Sequence, residues 1–234
     1  MVNIMNVNLN YLNFQNFKLS FQDGKIYFIV GDSKSGKEDL LNILSGIILT
    51  NNMISCNNLY LNQENRNHYI KYIGVVKKLN EYSFKYQNVL DEMLYPLMNL
   101  SYSKKDSIKR IKELLNKFEL NIIDKKITDL DSIDKQKLLL IISLLHHPKI
   151  LLIENIFSLF SQTEKEMIFK ILRELVDKDK LTIINFTPIL DDSLYSDEIL
   201  ILSNYNIVKK MFYQDIIAND QLLNKNHIEV PFLF

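Results

Sequence analysis

Five consecutive apolar or aromatic residues, Ile26-Tyr27-Phe28-Ile29-Val30, run directly into Gly31-Asp32-Ser33-Lys34-Ser35-Gly36-Lys37. Leu40, Leu41 and Leu44 then recur at helical spacing and close near Gly46. Few folds admit a buried strand, a glycine-bounded loop, a lysine and a helix in that order. In this context the loop's backbone N–H groups can wrap a phosphate, and the helix N-terminus adds partial positive charge. Lys37 is placed to reach the outer phosphates. A plain strand-to-helix turn with a solvated lysine is the alternative reading of the same string.

The rest of the chain repeats the alternation of strand and helix. Residues 9–11 and 17–21 alternate as strands, and Asp23-Gly24 supplies a turn before residues 26–30. Asn-rich stretches at 51–58 and 62–67 read as turns. From 69 to 145 the pattern is mostly helical, with Ser101 or Ser103 able to cap a helix whose apolar face is Ile108, Ile111, Leu114, Leu115 and Phe118. A second helix runs over about 133–146 and Pro148 ends it. Residues 150–153, 181–186 and 198–202 read as buried strands, with a helix over 164–177 between the first two. This order argues for an α/β fold with a largely parallel sheet, where ligands sit at the carboxyl ends of the strands.

Composition narrows the function. Lys plus Arg and Asp plus Glu both total 28, so no net field draws the chain to nucleic acid or anionic lipid. Cys56 is the single cysteine, which excludes an internal disulfide and an all-cysteine metal site. The longest apolar stretch, 138–145, falls well short of the roughly 20 residues that cross a bilayer.

The loop carries one departure. The residue after Lys37 should offer a hydroxyl to Mg²⁺, and here it is Glu38, followed by Asp39. A carboxylate about 5 Å from a phosphate charge costs about 3 kcal/mol at an effective dielectric near 20, roughly a factor of 100 in affinity. Glu38 could instead ligate the metal directly, or Glu38 and Asp39 could simply favour the first helical turn.

With that loop in place, the chain resembles, over nearly its whole length, the ATP-binding subunits of ATP-binding cassette (ABC) transporters. Tyr11 lies where that family carries an aromatic that stacks on adenine; packing on the sheet is the alternative. Ile73-Gly74-Val75-Val76-Lys77-Lys78 resembles the strand leading into the Q-loop, with Lys78 in the glutamine's place. Leu130-Asp131-Ser132-Ile133-Asp134 occupies the place of the LSGGQ signature without either glycine, and Asp131 or Ser132 is also a good N-cap. Ile150-Leu151-Leu152-Ile153-Glu154-Asn155 resembles a Walker B strand. Glu154 stands at the metal-organising Asp and Asn155 at the catalytic Glu, and an amide cannot act as general base. Ser158-Leu159-Phe160-Ser161 stands in for the D-loop without its Asp, and Pro188 replaces the switch histidine. His146 and His147, at a helix end, read as solvated or capping residues.

Within the family, residues 89–120, the step Ser196-Asp197-Glu198 and the ending Ile228-Glu229-Val230-Pro231-Phe232 look most like the ATPase subunits of energy-coupling factor (ECF) importers of vitamins and metals. Those subunits run longer at the C-terminus, so part of the dimerising tail is expected to be missing. The resemblance implies a P-loop NTPase fold of ABC type: a mostly parallel core (1–78 and 146–210), N-terminal antiparallel strands, an inserted helical subdomain (79–145) and a C-terminal extension (211–234). It implies ATP held by Tyr11, the loop from Gly31 to Lys37, Glu38 and Asp39, with Mg²⁺ at Glu38 and Glu154. It also implies a second ABC ATPase subunit, in a heterodimer rather than a homodimer, and a transmembrane transporter subunit docked near Lys78 on the cytoplasmic face of the membrane. Two functions follow. One is a transport subunit that binds nucleotide with weak or no hydrolysis of its own, and the other is a catalytically dead pseudo-ATPase acting as a scaffold for its partners. A small kinase would share the loop but not the ordered segments after it.

Overall fold

The computed structural model describes residues 3–11, 13–49 and 53–217. Elements follow in the order β1 (Asn3–Tyr11), β2 (Phe14–Gln22), β3 (Ile26–Val30), α1 (Lys37–Leu44), β4 (Met53–Cys56), β5 (Leu59–Tyr60), α2 (Arg66–Tyr69) and β6 (Ile73–Lys77). Next come α3 (Val89–Asn99), α4 (Lys104–Lys117), α5 (Ser132–Leu144), β7 (Ile150–Glu154), α6 (Gln162–Asp179), β8 (Thr182–Thr187), β9 (Glu198–Ser203), β10 (Asn206–Met211) and α7 (Tyr213–Ile217). The ending at 228–232 and most of the C-terminal extension lie outside the described residues.

Two sheets form. The central sheet has the order β10-β9-β3-β8-β7-β6, with β9, β3, β8, β7 and β6 mutually parallel and β10 antiparallel at one edge. The other sheet is antiparallel, in the order β2-β1-β4-β5. Period-2 alternation along each central strand divides its side chains between two cores. Ile26, Phe28 and Val30 face a core shared with α3, α4, α5 and α6; Tyr27 and Ile29 face a core shared with the antiparallel sheet and α1. Strand β7 divides the same way, with Leu151 and Ile153 on one face and Ile150 and Leu152 on the other. Burial on both faces explains why these strands read as continuous apolar runs.

Caps set the helices. Ser103 caps α4 by accepting from the Asp106 N–H at 3.1 Å, while Ser101 sits in a left-handed turn. Asp131 caps α5, its carboxylate accepting from the Asp134 N–H at 2.8 Å. Ser161 and Glu164 form a reciprocal capping box on α6. Burial alone would raise the Glu164 pKa, but hydrogen bonds from Ser161 and Lys137 outweigh it and hold the carboxyl below its usual range.

Several sequence expectations need correcting. The Asn-rich stretch 51–58 is not all turn: Met53–Cys56 is a strand paired with β1, Cys56 opposite Met5 and Ile54 opposite Val7. Asn57 and Asn58, both left-handed, make the two-residue turn into β5. A four-residue strand flanked by asparagines carries too little pattern to read. Cys56 is fully buried there and its thiol pKa is pushed up to about 12, so it is inert. His146 is not solvated; its Nε2–H donates to the Ile73 carbonyl at 3.1 Å, tying the end of α5 to β6, and burial lowers its pKa. His147, exposed and left-handed at φ 55°, does end the helix.

One buried group works against the fold. Asn185, on the central strand β8, is 1% exposed and neither side-chain amide atom has a hydrogen-bond partner. A buried amide left unpaired costs about 1–3 kcal/mol. Asn185→Leu, of similar volume, is therefore expected to raise stability by about 1 kcal/mol or more in urea denaturation; a loss would mean that the amide has a partner.

Candidate functional site: a phosphate loop with rearranged charges

Strand β3 delivers Gly31 to the carboxyl edge of the sheet, where the Gly31 N–H donates to the Thr187 carbonyl of β8 at 3.3 Å. The loop then closes on itself. Ser35 Oγ donates to the Asp32 carbonyl at 2.7 Å, the Lys34 N–H to Asp32 Oδ1 at 3.0 Å, and Lys37 Nζ to the Asp32 carbonyl at 2.6 Å. Both glycines are required by space. A Cβ on Gly31 would lie 2.3 Å from the Leu202 carbonyl oxygen, and one on Gly36 would lie 2.5 Å from the Tyr205 ring at a backbone φ of +92°.

Tyr205 was invisible to sequence reading. It belongs to the two-residue turn Asn204-Tyr205 that joins β9 to β10, and it braces the loop in three ways. Its N–H donates to the Ser35 carbonyl at 2.9 Å, its ring packs edge-on against Phe14, and its hydroxyl donates to Asp39 Oδ2 at 2.9 Å. Asp39 thus faces Tyr205, while Glu38 is exposed at the pocket. Tyr11, half-buried at the end of β1, packs against the same core as Tyr205.

Ser33, Lys37, Glu38, Glu154, Asn155, Phe186 and Pro188 line one cavity of ≈ 220 Å³. The structure therefore brings together the loop, the end of β7 and the end of β8. Larger hollows of ≈ 430 and ≈ 500 Å³ lie along the antiparallel sheet and beside β10. The convergence of loop, lysine and carboxylates at the strand ends singles out the smaller one. Burial lowers the Lys37 pKa, opposed by the charges of Asp32, Glu154 and Glu38. Asn155 is left-handed at φ 46°, a conformation that asparagine tolerates better than glutamate.

Other segments named from the sequence do not reach this cavity. Asp131 and Ser132 open α5 in the helical lobe, with the Asp131 carboxylate occupied as a cap. Ser161 is occupied by the α6 capping box. Lys78 is exposed; the preceding Lys77 turns toward the site, its ammonium 3.3 Å from Glu154 Oε2 and 3.1 Å from Asn42 Oδ1. Fully buried Gln136 holds this strand end, accepting from the Leu79 N–H at 2.8 Å and donating to the Lys77 carbonyl at 3.1 Å. Lys77, Asn42 and Gln136 could be found only from strand register and helix placement.

The pairing decides how the residues suit a metal. Mg²⁺ at such a loop takes a hydroxyl beside the lysine and is organised by a carboxylate on a neighbouring strand. Glu38 removes the hydroxyl, and Glu154 is already engaged by an ammonium. Among the described residues, no group of three or more His, Cys, Asp or Glu side chains could hold a metal. Glu154 is thus held by Lys77, with Glu38 exposed at the same cavity.

A glycine-bounded loop between a buried strand and a helix, in a mostly parallel sheet flanked by an antiparallel sheet and a helical lobe, defines a P-loop nucleotide-binding cassette. The chain belongs to the ABC transporter family, whose model matches residues 14–158. Among curated proteins it is 27% identical over 229 residues to the energy-coupling factor transporter ATP-binding protein EcfA1 of Mesomycoplasma hyopneumoniae, covering 97% of this chain and 84% of that protein. Its fold matches cbiO1 from Clostridium perfringens, part of the ABC transporter complex cbiONQ, with a TM-score of 0.83 at 19% identity, covering 95% and 94% of the two chains. It also matches the ATP-binding cassette MJ0796 in a dimeric post-hydrolysis state bound to ADP and Pi, with a TM-score of 0.76 at 19% identity, covering 89% and 98%. The expected fold class is therefore correct.

The loop geometry gives a direct test. Gly36→Ala, which collides with Tyr205, and Tyr205→Ala, which removes the brace, are expected to weaken binding of a fluorescent ATP analogue at least about tenfold. Tyr205→Phe, losing only the hydroxyl, should stay within a few-fold. Because the Lys37 pKa is lowered, binding should fall with rising pH below the ordinary lysine range. Affinity indifferent to all three substitutions would remove Tyr205 from the site.

Proposed function

We propose that this chain is a nucleotide-binding subunit of an ECF-type ABC importer, which binds ATP through Gly31–Lys37 and hydrolyses it weakly or not at all alone. The observation that carries this is Lys37, held against the loop by the Asp32 carbonyl and lining one cavity with Glu154 and Asn155. The loop supplies backbone donors, a helix N-terminus and an ammonium for an anion. A cavity of ≈ 220 Å³ suits a phosphate tail better than a whole nucleotide, since whole small-molecule sites span about 300–1,000 Å³. Tyr11 is then left to meet the base outside it.

The cavity lining favours weak turnover. Water needs a base where the β- and γ-phosphates lie, and Asn155 and Pro188 offer none. An ABC site also takes its signature from the opposite subunit. In a homodimer Asp131 and Asp134 would face the phosphate from across, adding negative charge, so a heterodimer with an intact partner cassette suits this chain better. The helical lobe beyond Lys78 is the surface we assign to a membrane-embedded subunit, on the cytoplasmic side. Among the described residues no helix is long and apolar enough to cross a membrane.

A second reading, that of a pseudo-ATPase scaffold binding no nucleotide, is favoured by one observation: the capped Asp131 makes the signature segment a plain helix start. Calorimetric titration of ATP separates the two. Binding that Lys37→Ala abolishes supports the proposal, and no heat at millimolar ATP with the fold intact supports the scaffold. Phosphate release by the isolated chain should stay near background even in Glu154→Asp with Asn155→Glu, because the signature is still lacking and a glutamate at φ 46° is strained by about 1 kcal/mol. A clear gain of turnover in that variant would contradict the account.

A further inference from the structure

Strands β6 and β7 pair in parallel with Lys77 directly opposite Glu154, so both side chains leave the sheet at the same end and on the same face. That register produces a bridge. The Lys77 ammonium touches Glu154 of the phosphate cavity at 3.3 Å and Asn42 of α1, the helix that follows the loop, at 3.1 Å. One cation thus links the strand that supplies the carboxylate to the helix that carries Lys37. Its backbone is fixed as well, because buried Gln136 accepts from Leu79 and donates to the Lys77 carbonyl.

Charge at the cavity follows a simple balance. Lys37 and Lys77 offset only part of the charge of Asp32, Glu38 and Glu154, which leaves the helix N-terminus and the loop N–H groups as the positive potential that an anion meets. A divalent ion would have to displace Lys77 from Glu154 and would find a carboxylate where a hydroxyl is needed. The ammonium has three donors and its named partners take two, so a phosphate oxygen can accept the third. Its side chain is 37% exposed and that of Glu154 27%, so the pair is open to solvent, and Glu154 itself lines the cavity.

We propose that Lys77 is the resident cation at Glu154, occupying the place at that carboxylate which a divalent ion would otherwise take, so that the chain holds a nucleoside triphosphate without metal. The proposal rests on the reading that the Gly31–Lys37 loop holds the nucleotide. Lys77 here is a phosphate-binding and positioning residue with no part in bond breaking.

The test is equilibrium binding of a fluorescent ATP analogue to the full chain, in excess EDTA and in Mg²⁺, for the native protein and for Lys77→Met, Lys77→Arg and Lys37→Ala. Native affinity is expected to agree within about twofold between EDTA and Mg²⁺. Lys77→Met should weaken binding about tenfold in EDTA, and Lys77→Arg should retain it. A native chain that binds only with Mg²⁺, or Lys77→Met that binds unchanged in EDTA, overturns the role of Lys77 and leaves the loop assignment standing. Affinity unaffected by Lys37→Ala overturns the loop assignment itself, which is a separate failure. The native comparison needs no variant, so the proposal can be refuted even if Lys77→Met does not fold.

Discussion

Burial of β3 on both faces fixes where everything else lies. Its five residues are at most 1% exposed, with Phe28 and Val30 pressed against the helical lobe side and Tyr27 and Ile29 against α1 and the antiparallel sheet. Each fully buried large side chain contributes roughly 1.5–3 kcal/mol, so the strand cannot shift register without reversing both cores. The loop beginning at Gly31 is consequently anchored at one point on the sheet edge. From there the Gly31–Thr187 hydrogen bond, the close approach of Leu202 and the Tyr205 brace leave the backbone little freedom.

Backbone and side chains contribute differently to the site in this chain. Backbone-determined features persist: both loop glycines, the strand order, the helix that presents its N-terminus. Several side chains make structural contacts. Asp131 caps α5, Ser161 caps α6, Asp39 receives the Tyr205 hydroxyl and Glu154 pairs with Lys77. Each of these lowers local cost where a catalytic group would raise it, since groups poised for chemistry are held unsatisfied or strained. Asn155 fits the same pattern, being a residue that accepts the left-handed turn after β7.

Much of this was legible in the sequence because it depends on local pattern. The run 26–30, the loop and the spacing of Leu40, Leu41 and Leu44 specify the strand–loop–helix unit without any long-range information. Strands β7, β8 and β9 are apolar throughout because both faces are covered. The missed parts depend on pairing between distant segments. Strand β4 exists because β1 offers it an edge, and β10 because Asn204 and Tyr205 turn the chain back. Lys77 rather than Lys78 meets Glu154 because side chains alternate along β6 and the register places it opposite that residue. No spacing rule within one segment reveals that partner.

Amide hydrogen exchange with and without ATP most directly tests the central claim that this cassette still uses its loop to hold nucleotide. The account predicts slowed exchange confined to the loop and first turn of α1, about residues 31–40, and at the strand ends near Glu154 and Asn155, with no such change in Lys37→Ala. Unchanged exchange over the loop at saturating ATP, or protection only in the helical lobe, would contradict it.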